Sequence, residues 1–204
     1  MTAFDVNSGE GTLARFLPGY TKVAEITDIK GQMALFDRLV ADDGATKIVD
    51  LGHESFEAFV KLASQIGFAE EARRRGIVPA ILFVITPDRT SVEAYRRLRS
   101  RLPQATLAPL HNEMLGPAQH RDKYPTRGRG ATLVRLPVLA LGLRRYIENP
   151  PFSFSDAWLA NSRDIPLDVH IELQRWLRKS YLEFREFNLR ILLAELQSSI
   201  RLQS

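Results

Sequence analysis

Polar residues that are suited to ligand binding stand directly after apolar segments of this chain. Asp5 ends the apolar segment at the start of the sequence, and Asn7, Ser8 and Gly9 follow it. An acidic residue at the carboxyl end of a strand, followed by a polar loop with glycines, is typical of the way open α/β sheets present ligands to a crevice. We therefore expect a ligand-handling loop within residues 2–13.

Two further strand ends carry similar side chains. One short apolar strand ends in Asp50 and Gly52, and another is followed by Asn112 and Glu113. Each has a second interpretation, because Asp and Asn also stabilise turns and cap helices without any ligand. The segment around Asp50 is then only a strand-to-helix turn, and Asn112 is only a helix cap.

The elements that must position these side chains alternate along the chain. The expected strands end at Asp5 or cover 22–26, 46–52, 79–85, 106–110 and 132–137, and helical patterns separate them. Strands that alternate with helices imply right-handed crossovers, so we expect an α/β fold with a mainly parallel sheet flanked by helices. Segment 79–85 is so apolar that it predicts a strand buried on both faces.

The pattern changes near residue 150. We expect an α/β domain over 1–150 and a helical extension over 151–204. From Leu167 to about Leu202 the sequence pattern predicts a helix, and the segment contains no glycine or internal proline. One interpretation is a helix packed on the sheet, and the other is a coiled-coil or dimer-contact helix.

Composition limits the class of protein. The 204 residues suffice for one sizeable core, and 45% hydrophobic with 25% charged residues is ordinary for a globular domain. The absence of cysteine excludes disulfides and thiolate metal sites, and the four histidines lack metal-ligand spacing. The sequence shows neither an apolar run of about 20 residues nor a signal-peptide pattern, so we expect a cytoplasmic protein without a membrane span.

The basic residues are clustered, although the net charge is only +4. Arginines stand at 73–75, at four positions within 96–101, and between 121 and 129. Such clusters suit nucleic acid, an anionic membrane surface or an acidic partner. The alternative is that they lie on the solvated faces of helices, and charge alone supports a nucleic-acid partner only weakly.

The order of these segments resembles the ParA/MinD family of P-loop ATPases, in particular its shorter mobilisation and partition members. The likeness covers about residues 2–160. It rests on the acid-ended strand and loop at 4–7, the acid and glycine at 48–52, the buried strand before 86–88, the strand ending in Asn112 and Glu113, and the strand ending in Pro137.

The resemblance implies ATP and Mg²⁺ as cofactors and gives each quoted position a role. Asp5 matches the acid that activates or positions the attacking water, with Asn7 beside it in the loop that senses the γ-phosphate. Asp50 resembles the aspartate that holds Mg²⁺ through water, as phosphoryl transfer requires. The implied nucleotide contacts are Ser8, Gly9, Gly52, Asn112, Glu113 and Pro137.

One family motif is missing from the 204 residues. No segment has the form G-x-x-x-x-G-K-[ST], whose backbone N–H groups and lysine hold the phosphates, and segment 7–12 has no lysine. We expect either a fragment of such an ATPase or a degenerate relative that binds no nucleotide.

Two functions remain open. The first is an ATPase-family protein that is inactive alone and that, with a phosphate-binding loop, switches between monomer and nucleotide-held dimer for plasmid, chromosome or transfer machinery. The alternative is a non-catalytic interaction protein that uses its sheet and C-terminal helix to bind a partner. For the chain as such we expect a homodimer or a protein partner.

Overall fold

The computed structural model describes residues 1–7, 9, 11–116, 121–128, 130–159 and 166–202. The described strands are β1 Thr2–Asp5, β2 Thr21–Val23, β3 Lys47–Asp50, β4 Ala80–Val84, β5 Thr106–Asn112 and β6 Val134–Leu136. The α-helices are α1 Thr12–Phe16, α2 Ile29–Leu39, α3 His53–Gln65, α4 Phe68–Arg74, α5 Arg89–Arg101, α6 Leu141–Ile147, α7 Phe154–Leu159 and α8 Leu167–Leu202. None of these helices combines the length and the apolar character needed to cross a membrane.

The chain forms two compact units. The first consists of Met1–Pro79 with Arg145–Asn161, and the second of Ala80–Arg144 with Ser162–Ser204. The sequence predicts a different boundary, with an α/β domain over 1–150 and a helical extension over 151–204. That boundary stays a prediction.

The first unit is built on the parallel sheet β2-β1-β3. β1 is its central strand, and Ala3, Phe4 and Asp5 are buried in it. Helices α2 and α3 contribute Phe36 and Phe59, whose rings stack with their centroids 5.5 Å apart. The buried apolar faces of α2 and α3 therefore pack together in the core of the first unit.

The second unit is built on the parallel sheet β4-β5-β6. An aromatic cluster lies beside this sheet, where the Tyr95 ring meets Phe83 and Tyr124 with centroids 5.2 and 5.1 Å apart. Both phenols donate to backbone carbonyls, Tyr95 to Pro125 at 2.7 Å and Tyr124 to Thr86 at 2.6 Å. Burial raises the pKa of Tyr95 to about 12, so this hydroxyl stays a donor throughout the ordinary pH range.

The α/β class with parallel strands and a long C-terminal helix is confirmed. The described strands form two three-stranded sheets, however, and the burial expected for segment 79–85 is wrong. β4 is an edge strand in which Leu82 and Val84 are 36% and 50% exposed. β5 is the central strand, and Thr106–His111 are buried. A central strand is covered by neighbours on both sides, which an apolar sequence alone does not reveal.

Helix α8 packs against β6 with one face. Leu173, Phe187 and Ile191 are buried on that face, and Trp176 Nε1 donates to the Pro137 carbonyl at 2.9 Å. Gly130 has a φ of 76° and lies so close to α8 that an added Cβ would sit 2.6 Å from a carbonyl carbon of the helix backbone. The interpretation of a helix packed on a sheet therefore holds for this face.

Candidate functional site

The carboxyl ends of β1 and β3 meet at the same sheet edge. In the parallel register of these two strands Asp5 lies directly beside Asp50. The two apolar segments end in acid at equivalent positions, so their pairing brings both carboxylates to one place. This is the edge at which open parallel sheets present ligand-binding groups.

Asp5 is completely buried and both of its carboxylate oxygens accept backbone hydrogen bonds. Oδ1 accepts from the amide of Asn7 at 3.0 Å, and Oδ2 accepts from the amide of Ala14 at 3.0 Å. Ala14 lies in the first turn of α1, whose N-cap Gly11 has no side chain to satisfy those amides. Asp5 therefore supplies the missing cap and shapes the loop between β1 and α1.

Asn7 connects the loop to the end of β3. Its Nδ2 donates to Asp50 Oδ2 at 3.1 Å, and its Oδ1 accepts from the backbone amide of Gly52. Gly52 is the N-cap of α3 and has an extended φ of −74°, so it is not conformation that requires glycine here. The requirement is space, because a Cβ would sit 2.8 Å from Asn7 Cγ and displace the side chain.

Ser55 adds a second connection that the sequence analysis did not identify. Its hydroxyl donates to the carbonyl of Val6 at 2.6 Å, and the Val6 amide donates to the carbonyl of Asp50 at 3.1 Å. The spacing from Gly52 to Ser55 places this hydroxyl in the first turn of α3, which was the available signal. The ends of β1, β3 and α3 thus form one hydrogen-bonded network.

Asp50 is the carboxylate of the network that remains half-buried and partly accessible. Burial raises its pKa above the ordinary value, and the nearby charge of Asp5 raises it further. Its Oδ2 accepts from Asn7, and within the described chain Oδ1 accepts no hydrogen bond. Asp50 is therefore the group of this site that is available to a metal-bound water or a ligand proton.

The donor set suits a magnesium ion only in part. Mg²⁺ is commonly held by one or two carboxylates and several waters, which Asp50 could provide from its accessible oxygen. Asp5 already accepts two backbone amides, and the described residues contain no group of three or more metal-ligating side chains. The triphosphate fits less well, because the 204 residues lack the glycine-rich lysine loop.

Three of the predicted nucleotide contacts lie in the second unit. Asn112 ends β5 opposite Leu136, so it shares a sheet edge with Pro137. Its Oδ1 accepts from the amide of Met114 at 3.1 Å and caps the short 3₁₀ helix Glu113–Leu115. The structure therefore shows Asn112 as a helix cap, and its contact with a nucleotide stays a prediction.

The other predicted nucleotide contacts that the structure describes are Gly9 and Glu113. Gly9 is exposed in a turn, and Ser8 lies outside the described residues. Glu113 is exposed. The structure therefore brings together Asp5, Asn7, Asp50 and Gly52 in the first unit, and separately Asn112 and Pro137 in the second.

The clustered arginines are engaged with the protein at several points. Arg75 Nε donates to Glu71 at 2.6 Å, and Arg74 pairs with the same carboxylate. Arg127 donates to the carbonyls of Arg99 and Leu102 at the C-terminal end of α5. Burial, and secondarily the charge of Arg99, lowers the pKa of Arg127. These contacts favour a structural role for these arginines.

Comparison with known proteins does not identify a family for this chain. No protein-family model, curated protein or solved structure matches this chain. The fold and the site therefore define it as a protein with parallel α/β sheets and a carboxylate–amide network at one sheet edge.

Proposed function

We propose that this chain is a ParA/MinD-like ATPase-family protein of the partition or mobilisation type, and that it does not hydrolyse ATP on its own. The observation that carries the proposal is the pairing of Asp5 with Asp50 at the carboxyl ends of adjacent parallel strands, bridged by Asn7. The pairing supports the proposal because the resemblance gives Asp5 the water-positioning role and Asp50 the magnesium role, and both roles act on one phosphoryl group.

The Asp5–Asn7–Asp50 network would form only one half of a phosphoryl-transfer site, and the phosphate-binding loop would form the other half. Catalysis consists mainly of placing charge around the transferred group, with Mg²⁺ and a positioned water on one side and a phosphate-binding loop on the other. In this chain Asp50 would hold Mg²⁺ through water, and Mg²⁺ would neutralise phosphate charge. Asp5, through Asn7, would keep the loop beside Asp50 in place.

Calorimetric titration with Mg-ATP tests the inactive state of the chain. We expect no binding in the micromolar range and no phosphate release, because no lysine-bearing loop is present to hold the triphosphate. Micromolar binding that Asp50→Asn weakens would contradict the inactivity and show a complete site.

A restored chain tests the family assignment. A strand–loop–helix carrying G-x-x-x-x-G-K-[ST] is joined in front of Thr2, and phosphate release is measured. We expect Asp50→Asn to reduce the rate by about 100-fold or more, as removal of a charge-placing group does. The matched control is Glu54→Gln, an exposed acid in the first turn of α3, which should leave the rate unchanged. A folded restored chain that binds no nucleotide, or that tolerates Asp50→Asn, would refute the assignment.

A non-catalytic interaction protein is the second candidate. The observation that favours it is the outer face of α8, on the side of the helix opposite β6, where Leu189, Leu192 and Leu196 are 47%, 59% and 61% exposed. A surface of this kind is independent of nucleotide. If the restored chain fails as above while the natural chain still associates, this second function is the correct one.

A further inference from the structure

The outer face of α8 is an apolar surface with a regular spacing. It consists of Leu182, Leu189, Leu192, Leu193, Leu196 and Ile200, which are between 47% and 67% exposed. A helix places residues three, four and seven apart on one face, and this face lies opposite the buried Phe187 and Ile191. The same helix therefore packs on its own sheet with one side and leaves leucines in solvent on the other.

The extent of this surface is at the upper end of what monomers expose. Six half-exposed side chains amount to on the order of 600 Å² per chain, which is the lower end of what a standard interface buries per partner. Exposed apolar patches of this size mark interaction sites. The surface is therefore large enough to support association without any other contact.

The spacing of the central leucines identifies the partner. Leu189, Leu192, Leu193 and Leu196 are separated by three, one and three residues, and this series is identical when read from either end. A second copy that runs antiparallel therefore sets Leu189 against Leu196 of that copy and Leu192 against Leu193. Such self-complementarity is what a two-fold interface between identical chains requires.

The charges on the same face select the antiparallel direction. Arg178 and Arg185 are exposed on the N-terminal half of this face. A parallel pair would set each of them against its own copy, which is repulsive. An antiparallel pair instead sets Arg185 near Ile200 and the C-terminal end of the partner helix, where a cation is favourable.

We propose that the chain forms a homodimer through the outer face of α8, with the two helices antiparallel and their centre between Leu192 and Leu193. The interface does not involve the Asp5–Asn7–Asp50 network. It is therefore independent of the proposed ATPase relationship and of nucleotide.

Light scattering coupled to size exclusion tests the dimer with the full chain. We expect a mass of twice 23.1 kDa at micromolar concentration. Leu193→Glu with Leu196→Glu should give the monomer, because each carboxylate would be buried without a partner. The matched control is Tyr181→Glu, a 63% exposed side chain on the flank of the same helix, which should remain a dimer. Far-ultraviolet circular dichroism checks that all variants keep their helix.

Cysteine cross-linking tests the direction, because the natural chain contains no cysteine. Leu192→Cys lies at the proposed centre and should form a disulfide-linked dimer. Leu182→Cys should not, because an antiparallel pair separates the two copies of that residue by about 30 Å at 1.5 Å rise per residue. A dimer linked through Leu182→Cys would overturn the antiparallel arrangement.

Two other results would overturn the homodimer itself. The first is a monomeric mass for the natural chain at all concentrations tested. The second is a monomer that sediments with vesicles of anionic phospholipid and loses this binding in the Leu193→Glu, Leu196→Glu variant, which would show that the outer face binds a lipid surface.

Discussion

The two three-stranded sheets have the same parallel construction but use their carboxyl ends differently. In the first, the central strand ends in the buried Asp5, whose carboxylate holds the following loop and the start of α1. In the second, the central strand ends in Asn112, which caps a single turn, while the neighbouring Pro137 carbonyl receives Trp176 of α8. The first edge organises a polar network, and the second anchors a helix.

The difference shows that the same parallel topology can stabilise a charged loop at one sheet end and a packed helix at another. A charged group at a sheet edge requires hydrogen-bond donors, which the loop and helix N-termini of the first unit supply. A helix packed on a sheet requires close approach, which Gly130 permits in the second unit. A single substitution can therefore perturb each unit separately, at Asp5 in the first and at Gly130 in the second.

The largest effect is expected for Asp5→Ala. Two backbone amides would lose a charged acceptor inside the protein, so we expect the free energy of unfolding to fall by about 3 kcal/mol. Urea denaturation measures it. The matched control is Asp88→Ala, the exposed N-cap residue of α5, which makes no cap hydrogen bond and accepts from the Thr86 hydroxyl at 3.1 Å, with an expected loss of about 1 kcal/mol or less. Equal effects of the two substitutions would refute the distinction between the two sheet ends.

The next largest effect is expected for Gly130→Ala. The added Cβ would meet the backbone of α8, and alanine is strained at a φ of 76°, so we expect a loss of about 2 kcal/mol. Gly142→Ala is the matched control, because it lies in α6 with open space around it and should gain up to about 1 kcal/mol. Thermal unfolding compares the two, and an unchanged Tm for Gly130→Ala would show that α8 does not depend on this approach.

The smallest effect is expected for Asp50→Asn at the same sheet end of the first unit. Because burial and Asp5 raise the pKa of Asp50, its stabilising contribution is complete below the ordinary value of 3.8 and is lost as the pH rises through the folded-state pKa. Asp50→Asn keeps an oxygen acceptor for Asn7 and removes the charge. We expect a gain of about 0.5 kcal/mol at neutral pH that disappears as the pH falls toward 3.8. Urea denaturation across this pH range measures it, and a loss of stability at neutral pH would contradict the stated cause.

Much of this architecture follows from local pattern. Period-two apolar runs and 3.6-residue spacing predict parallel strands alternating with helices and the long helix α8, because side-chain direction is set by the backbone within a few residues. The acid-ended strands at Asp5 and Asp50 are equally visible, since a polar residue after an apolar run marks the end of burial. These features required no knowledge of distant neighbours.

The tertiary structure decided the partners of these residues. The sequence predicts an acid at Asp5, but only the fold shows that Ala14 and Asn7 use both of its oxygens, leaving Asp50 as the accessible carboxylate. The apolar composition of β4 suggested a buried strand, and only the strand order made it an edge. Spacing along α8 marks two apolar faces, and only packing against β6 decides which of them is buried and which stays exposed. The reason is physical: backbone geometry determines which face a residue occupies, whereas burial and hydrogen bonding depend on what the fold brings against that face.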